Sequence, residues 1–386
     1  MQVEEAERSF KSLCASFGIS RKTGYKWWGR FCEQGLEGLR ERRSRPRTSP
    51  HKSARKWGQR AVELRMRYPW WGAKKIRAKL KARHGQEHLP AASTIGAMLS
   101  AAGLVRSRRG RKKSGPQIER PALSQASAAN QVWAVDFKGW FRTGDGRRCD
   151  PLTVSDLFSR YILCCRALCA QSTERAKAVF KGLFKQYGLP QRIRVDNGAP
   201  FGSRGAGGLS RLSVWWLRLG MEVEFIAPGH PEQNGSHERM HRTLKAESAQ
   251  PPARSARKQQ RRFDQWRRHF NMERPHEALG QQVPARRYER SSRVYSGVEP
   301  QPQYPSGYEV RRVRSNGQIK WKGRLRFVGE AFVGQRVGLR ESEPGRAEVY
   351  FMQRLLGTLH EAEADFGGLR PTAYALQNQR EKEKKV

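Results

Sequence analysis

Residues 132–137 read Val132-Trp133-Ala134-Val135-Asp136-Phe137, five apolar side chains with one carboxylate set among them. A short run this rich in β-branched and aromatic residues predicts a buried strand. An ionised Asp inside it is costly unless it is paired or holds a cation. Working outward, Asp145-Gly146 predicts a hairpin turn, and 151–168 gives two more strand-like runs around Asp156. Ser172 opens an amphipathic helix through Ala176, Val179, Phe180, Leu183 and Phe184 to Tyr187, closed by Gly188 and Pro190. Arg192–Val195 predicts a fourth strand, 209–219 a helix, 222–226 a fifth strand and 236–248 another helix. The implied core, 130–290 with a trailing basic helix at about 257–270, is an α/β layer on a five-stranded mixed sheet with flanking helices.

The segments around this core are of other kinds. Residues 9–31, SFKSLCASFGISRKTGYKWWGRF, predict two short helices sharing Leu13, Phe17, Ile19, Tyr25, Trp28 and Phe31, with Gly18 at the turn and Ser20 as N-cap of the second helix. Arg21, Lys22, Thr23, Tyr25 and Lys26 then open that helix with side chains that reach phosphates and base edges, a helix-turn-helix pattern over 1–48. Only eight residues precede Ser9, where a supporting helix would stand, so a clipped or misassigned start is expected. After a Pro/Ser/Arg linker, 52–105 predicts a second helix-turn-helix unit. It carries Trp57, Val62, Leu64 and Met66, the break Tyr68-Pro69-Trp70-Trp71-Gly72, a helix from Ala73, and a last helix with Ser93 and Thr94 as caps before Ile95, Met98 and Leu99. Residues 106–129 read as a basic linker, 307–362 as a small β-barrel-like domain with alternating apolar residues, and 363–386 as a disordered tail.

Charge narrows the function. The 386 residues hold 76 Lys and Arg against 35 Asp and Glu, a net charge of +41. Runs recur along the chain, thirteen basic residues in 21–60, seven in 104–120 and seven in 251–270, so the expected partner is a polyanion followed over a long path. No apolar run approaches the ~20 residues that span a bilayer, and Met1–Phe10 carries three Glu, so a membrane or secreted protein is excluded. Six cysteines without a C-x-x-C pair read as buried thiols of a reducing, cytoplasmic, nucleoid-associated protein. His237 and His241, at i,i+4 spacing without a Cys partner, predict no zinc site; contact with phosphate, or capping of the site, is expected instead.

Three carboxylates stand at strand ends or a helix start: Asp136, Asp196 in Val195-Asp196-Asn197-Gly198, and Glu238 after Pro231-Glu232-Gln233-Asn234-Gly235. Oxygen ligands of this kind suit a pair of hard divalent cations for phosphoryl transfer; singly, Asp196 also reads as a turn residue and Asp136 as a salt-bridged one. WAVDFKGW, VDNGAPF and HPEQNGSHERMHRTLK, in this order, resemble the catalytic core of retroviral-type integrases and of bacterial insertion-sequence transposases with an Asp-Asp-Glu site. SFGISRKTGYKW, YPWWGAKKI and NMERPHEAL are similar to the remaining segments of those transposases.

The resemblance implies a ribonuclease-H-like core and carries the acidic triad onto Asp136, Asp196 and Glu238, with two Mg²⁺ (or Mn²⁺) and no small-molecule cofactor. Glu232 competes, because 35 residues separate it from Asp196 where 41 separate Glu238. Glu238 is preferred because it stands at the helix start after the P-x-Q-N-G loop, on one face with the phosphate-binding candidates Arg242 and Lys245, while Met240 and Leu244 face the core. Asp156 reads as structural, and Trp133, Trp140, Trp215 and Trp216 as core. The implied activity is 3′-end hydrolysis and strand transfer by a homo-oligomer holding terminal repeats and target DNA. The rivals are a catalytically inactive or decayed DNA-binding regulator and a nuclease without strand transfer.

Overall fold

The computed structural model describes residues 9–41, 55–85, 88–105, 123–227, 230–362 and 367–370, without the side chains of Pro231 and Glu232. The chain divides into two compact units, Met1–Ala54 and Arg55–Val386. In the first, α1 (Phe10–Ser16) and α2 (Arg21–Gln34) flank the expected turn at Gly18. Ser20 Oγ accepts from the Thr23 amide at 3.2 Å, as an N-cap should. The expected apolar face does not close: Phe17, Ile19 and Tyr25 are exposed, and Cys14 and Gly24 are buried. The helices approach at Gly24, where an added Cβ would meet Cys14 Sγ at 2.4 Å, so a missing side chain sets the contact rather than an aromatic cluster.

The second unit begins with α3 (Arg55–Arg67), α4 (Ala73–His84) and α5 (Ala92–Ala101). They close on a core of Trp57, Ala61, Leu64, Trp71, Ile76, Leu80, Ile95 and Leu99, while Met66 points outward. Ser93 and Thr94 do not cap α5, which starts one residue earlier at Ala92 behind the uncapped Ala91. This bundle is fastened to the α/β layer: Tyr68 stacks on Trp71 (4.1 Å between centroids) and on His269 (4.9 Å). Tyr68 Oη donates to Glu273 at 2.9 Å, and Lys79 pairs with the same carboxylate.

The layer is built on β1 (Val132–Phe137), β2 (Phe141–Arg142), β3 (Arg148–Asp156), β4 (Ile162–Leu168), β5 (Arg192–Val195) and β6 (Glu222–Phe225). Their order is β2-β3-β1-β5-β6 with β4 on β3, so the expected five strands gain the two-residue β2. β1 runs antiparallel to β3 and parallel to β5, and β5 parallel to β6, which makes the sheet mixed. Alternation along β1 sends Trp133 and Val135 towards α6 (Thr173–Tyr187) and α7 (Arg211–Arg218), where Phe180, Phe184 and Trp216 complete the core. The opposite face receives α8 (Gly235–Leu244) and α9 (Ala256–Met272), through Met240, Leu244, Phe263, Trp266 and Phe270.

Of the expected basic linker, 106–122 lies outside the described residues, and 123–129 is irregular chain whose Ser124 carbonyl accepts from Arg194 of β5 at 2.6 Å. Past the core, β10 (Arg336–Glu343), β11 (Arg346–Phe351) and β12 (Arg354–His360) join β7 (Glu309–Arg312) in one antiparallel sheet. β8 (Gln318–Trp321) and β9 (Arg324–Phe327) form a separate ribbon, so the described strands close no barrel. Alternation specifies a sheet with one apolar face; closure needs a register that these short strands do not supply. That apolar face is continuous with the core of the α/β layer, and the Arg354 guanidinium donates to the carbonyls of Val223 and Gly207 at 3.3 Å each. Residues 371–386, most of the expected tail, lie outside the described residues. The cysteines are all free, Cys32 and Cys169 being exposed rather than buried. Among the described residues no helix is long and apolar enough to cross a membrane.

Candidate active site

The parallel register of β1 and β5 pairs Ala134 with Arg194. Continued by two residues, it sets Asp136 beside Asp196, and neighbours in a parallel ladder project to the same face. That face lies under α8, whose exposed side carries Glu238 and Arg242, with Lys245 exposed directly past its end, and whose buried side carries His237, Met240, His241 and Leu244. The turn after β5 is held by Asn197 Nδ2, which donates to the Ile226 carbonyl at 2.6 Å, and by the Gly198 amide, which donates to Asp196 Oδ1 at 3.3 Å. A Cβ at Gly198 would stand 3.2 Å from Asp196 Oδ2, so this close approach favours glycine.

Burial first, then the charge of Asp196 and more weakly that of Glu238, push the Asp136 carboxyl up to about 7. Burial also raises Asp196. Asp136 thus lies in the field of both other acids, and the negative charge around it is of a kind that a cation would relieve. All three offer oxygen, the donor set of a hard divalent ion. As they stand, no group of three or more His, Cys, Asp or Glu among the described residues is arranged to hold a metal ion.

The histidines do something the sequence did not suggest. His237 and His241 are buried between α8 and the sheet and bond within the protein. Their Nε2 atoms lie 2.8 and 2.6 Å from Thr153 Oγ1, which itself donates to the Asp136 carbonyl at 3.0 Å. A hydroxyl has one proton, so with that proton on the carbonyl both imidazoles donate through Nε2–H. His237 Nδ1 then accepts from Ser155 Oγ at 2.8 Å, and His241 Nδ1 presents a lone pair 3.6 Å from Asp136 Oδ2. Burial lowers His237 to about 3 and, with the neighbouring His237 and Lys138, lowers His241 to about 2; both are neutral and the 3.6 Å approach is no ion pair. Thr153 and Ser155 therefore seat α8 on β3, and the Thr153 bond to the Asp136 carbonyl ties that contact to the neighbouring β1.

Replacing Thr153 with Val strands two buried N–H groups, at about 1–3 kcal/mol for each. A melting temperature about 5–10 °C lower is expected for the Val variant, with most of the loss restored by Ser, read by scanning calorimetry. An unchanged Val variant would show that water or a rearranged ring replaces the hydroxyl.

Among the other expected residues, Arg21, Lys22, Tyr25 and Lys26 are exposed on α2, although Tyr25 leans on Phe10 at 4.3 Å, and the Thr23 hydroxyl is engaged with Ser20. On α5, Ser93 is exposed and Thr94 half-buried in the first turn. Asp156 is structural in its geometry, accepting from the amides of Asn130 and Ser159 at 2.7 Å each. Trp133, Trp215 and Trp216 are core, whereas Trp140 is 56% exposed.

Against family models, residues 126–231 and 219–284 match two descriptions of an integrase core domain. Residues 23–99 match a homeodomain-like domain, and 308–363 the C-terminal domain of IS481 family transposases. The chain is 30% identical over 192 residues to an uncharacterised 31.7 kDa protein of insertion element IS407 from Burkholderia multivorans, covering 46% of this chain and 62% of that protein. It is 31% identical over 186 residues to an uncharacterised 39.2 kDa protein of insertion element IS476 from Xanthomonas euvesicatoria, covering 46% and 50%. The matches thus span between half and two thirds of these relatives' own length. Among solved structures it is similar to the HTLV-2 integrase catalytic core domain in complex with magnesium, at 13% identity and a TM-score of 0.34 over 43% of this chain and all of that one.

Proposed function

We propose that this chain, which carries the domains of an insertion-sequence transposase around an integrase-type core, cuts the ends of a mobile element and joins them to target DNA. The observation that carries the reading is the β1–β5 register that brings Asp136 beside Asp196 within the field of Glu238. These three carboxylates would hold two Mg²⁺ or Mn²⁺, which when bound supply a lower water pKa and charge neutralisation at the phosphate. Arg242, on the same face of α8 as Glu238, and Lys245 directly after the helix hold the phosphates flanking the scissile bond.

Hydrolysis adds a water oxygen to phosphorus at the element end and breaks the P–O3′ bond, freeing a 3′-hydroxyl. That hydroxyl attacks a target phosphorus in line, forming a new phosphodiester while the target P–O3′ bond breaks, so one bond is exchanged for another without an external energy source. Terminal repeats are read by α2, through Arg21, Lys22, Thr23, Tyr25 and Lys26, and by α5, through Ser93 and Thr94. Pairing two element ends calls for more than one protomer.

The test is incubation of the protein with labelled linear DNA bearing its element's ends, in Mg²⁺, Mn²⁺ or EDTA. Nicked 3′ ends and joined products are expected only with metal. Nicks without joined products would support a nuclease, and binding without cutting in either metal would replace the reading with a DNA-bound regulator. Because many phosphates are neutralised by a chain of net charge +41, log K for DNA is expected to fall against log salt with a slope of several units. A flat response in a fluorescence-anisotropy titration would remove the long-path contact.

A further inference from the structure

Four residues beyond Asp136, the chain turns at Gly139 (φ +83°) into open space and presents Trp140 to solvent. An indole is large enough that leaving it 56% exposed beside a packed core is unusual. The ring is also held in place. The Arg148 and Arg142 guanidiniums stand 5.1 and 5.9 Å from its centroid.

Arg148 is immobilised by a two-pronged bond to Asp150, Nε to Oδ2 at 2.7 Å and Nη2 to Oδ1 at 3.0 Å, and Asp150 is fully buried. Gln171 donates to the same carboxylate at 2.9 Å, so the support reaches into the fold. Arg142 and Arg148 are direct cross-strand partners, an arrangement of like charges that destabilises a ladder unless an anion stands nearby. Asp150 pairs with Arg148, whereas Arg142 donates to the Gly146 carbonyl at 2.8 Å and has no carboxylate partner among the described residues. Between the ring and the acids lies Lys138, whose charge is felt by both Asp136 and His241. The four residues from Asp136 to Trp140 span at most about 14 Å.

A rigid, exposed aromatic face beside two cations has the elements of a single-strand nucleic-acid contact: the ring stacks on a base of any sequence, and the cations take the backbone. We propose that Trp140, framed by Arg142 and Arg148, is the stacking site for an unpaired base of the DNA strand that enters the carboxylate site. This rests on the proposed DNA-end chemistry and adds to it a place where the strand leaves its duplex.

The test uses the full chain in EDTA, where no cutting intervenes, and two probes of arbitrary sequence: a blunt duplex and the same duplex with a short single-stranded 3′ overhang. Trp140→Ala is expected to weaken overhang binding by about tenfold and to leave blunt binding unchanged, with Trp140→Phe close to wild type. 2-Aminopurine walked through the overhang is expected to be quenched at one position by wild type and not by the Ala variant. Equal affinity of wild type and Ala variant for the overhang, or equal weakening on both probes, would overturn the stacking site and leave the proposed function standing. Failure of the wild type to bind either probe would instead overturn the DNA-processing function, and the stacking site with it. Because Trp140 is exposed, an unchanged melting temperature is the control for folding.

Discussion

Asp136→Asn is expected to abolish cutting while leaving DNA binding intact. The substitution keeps size and shape but replaces one carboxylate oxygen with an amide nitrogen and removes the charge, and a loss of at least about a thousandfold in nicking is the scale of such a change. Binding rests on basic residues elsewhere and is expected to hold or to tighten as repulsion of phosphate is relieved. A second consequence is specific to this environment. In the unfolded chain the carboxyl ionises near its ordinary value of 3.8, and in the fold only near 7. The fold therefore bears a charge penalty that grows as pH climbs from the lower value to the higher and is complete above it. The Asn variant bears none. In metal-free buffer at pH 8 it is expected to melt a few degrees above wild type, with the gap closing towards pH 4. A variant that still cuts would remove Asp136 from the chemistry; one that melts below wild type at every pH would show the carboxylate to be a net structural asset.

The second large effect separates Glu238 from Glu232. Glu238→Gln is expected to lose nicking by a factor similar to Asp136→Asn, and Glu232→Gln to retain it, in parallel time courses with labelled ends and Mn²⁺. Glu238 stands on the exposed face of α8, a helix fixed to the sheet by Met240, Leu244 and the two histidines, and its charge reaches Asp136. Glu232 precedes that helix in the turn Pro231–Asn234. A ligand on an anchored helix keeps its position through a reaction better than one on a loop. The reverse result would move the third acid to Glu232 and with it the 35-residue spacing.

Much of the fold was legible because its signals are local. VWAVDF declared a buried strand, Ser20 and Ser172 capped the helices they precede, and the i,i+4 spacing of α8 separated Glu238, Arg242 and Lys245 from the buried Met240 and Leu244. What escaped depends on contacts distant in the chain. Nothing near Thr153 in TVSD announces that its hydroxyl meets two imidazoles 84 and 88 residues away. Trp140 carries the same composition signal as Trp133, and only the turn at Gly139 decides that one is exposed and the other buried. In the first helical pair, apolar spacing predicted a core that two short helices are too small to enclose, since a stripe needs a partner surface to cover it. The tail shows the same limit, its alternation giving strands but not their closure.

The stacked Tyr68, Trp71 and His269, locked by Glu273, have a geometric consequence for the DNA. A helix bundle joined to α9 through these rings holds α5 at a set distance from the carboxylates. Under the proposed function that distance would act as a ruler, with the number of base-pair steps between the recognised sequence and the cut set by the aromatic joint and not by which bases are read.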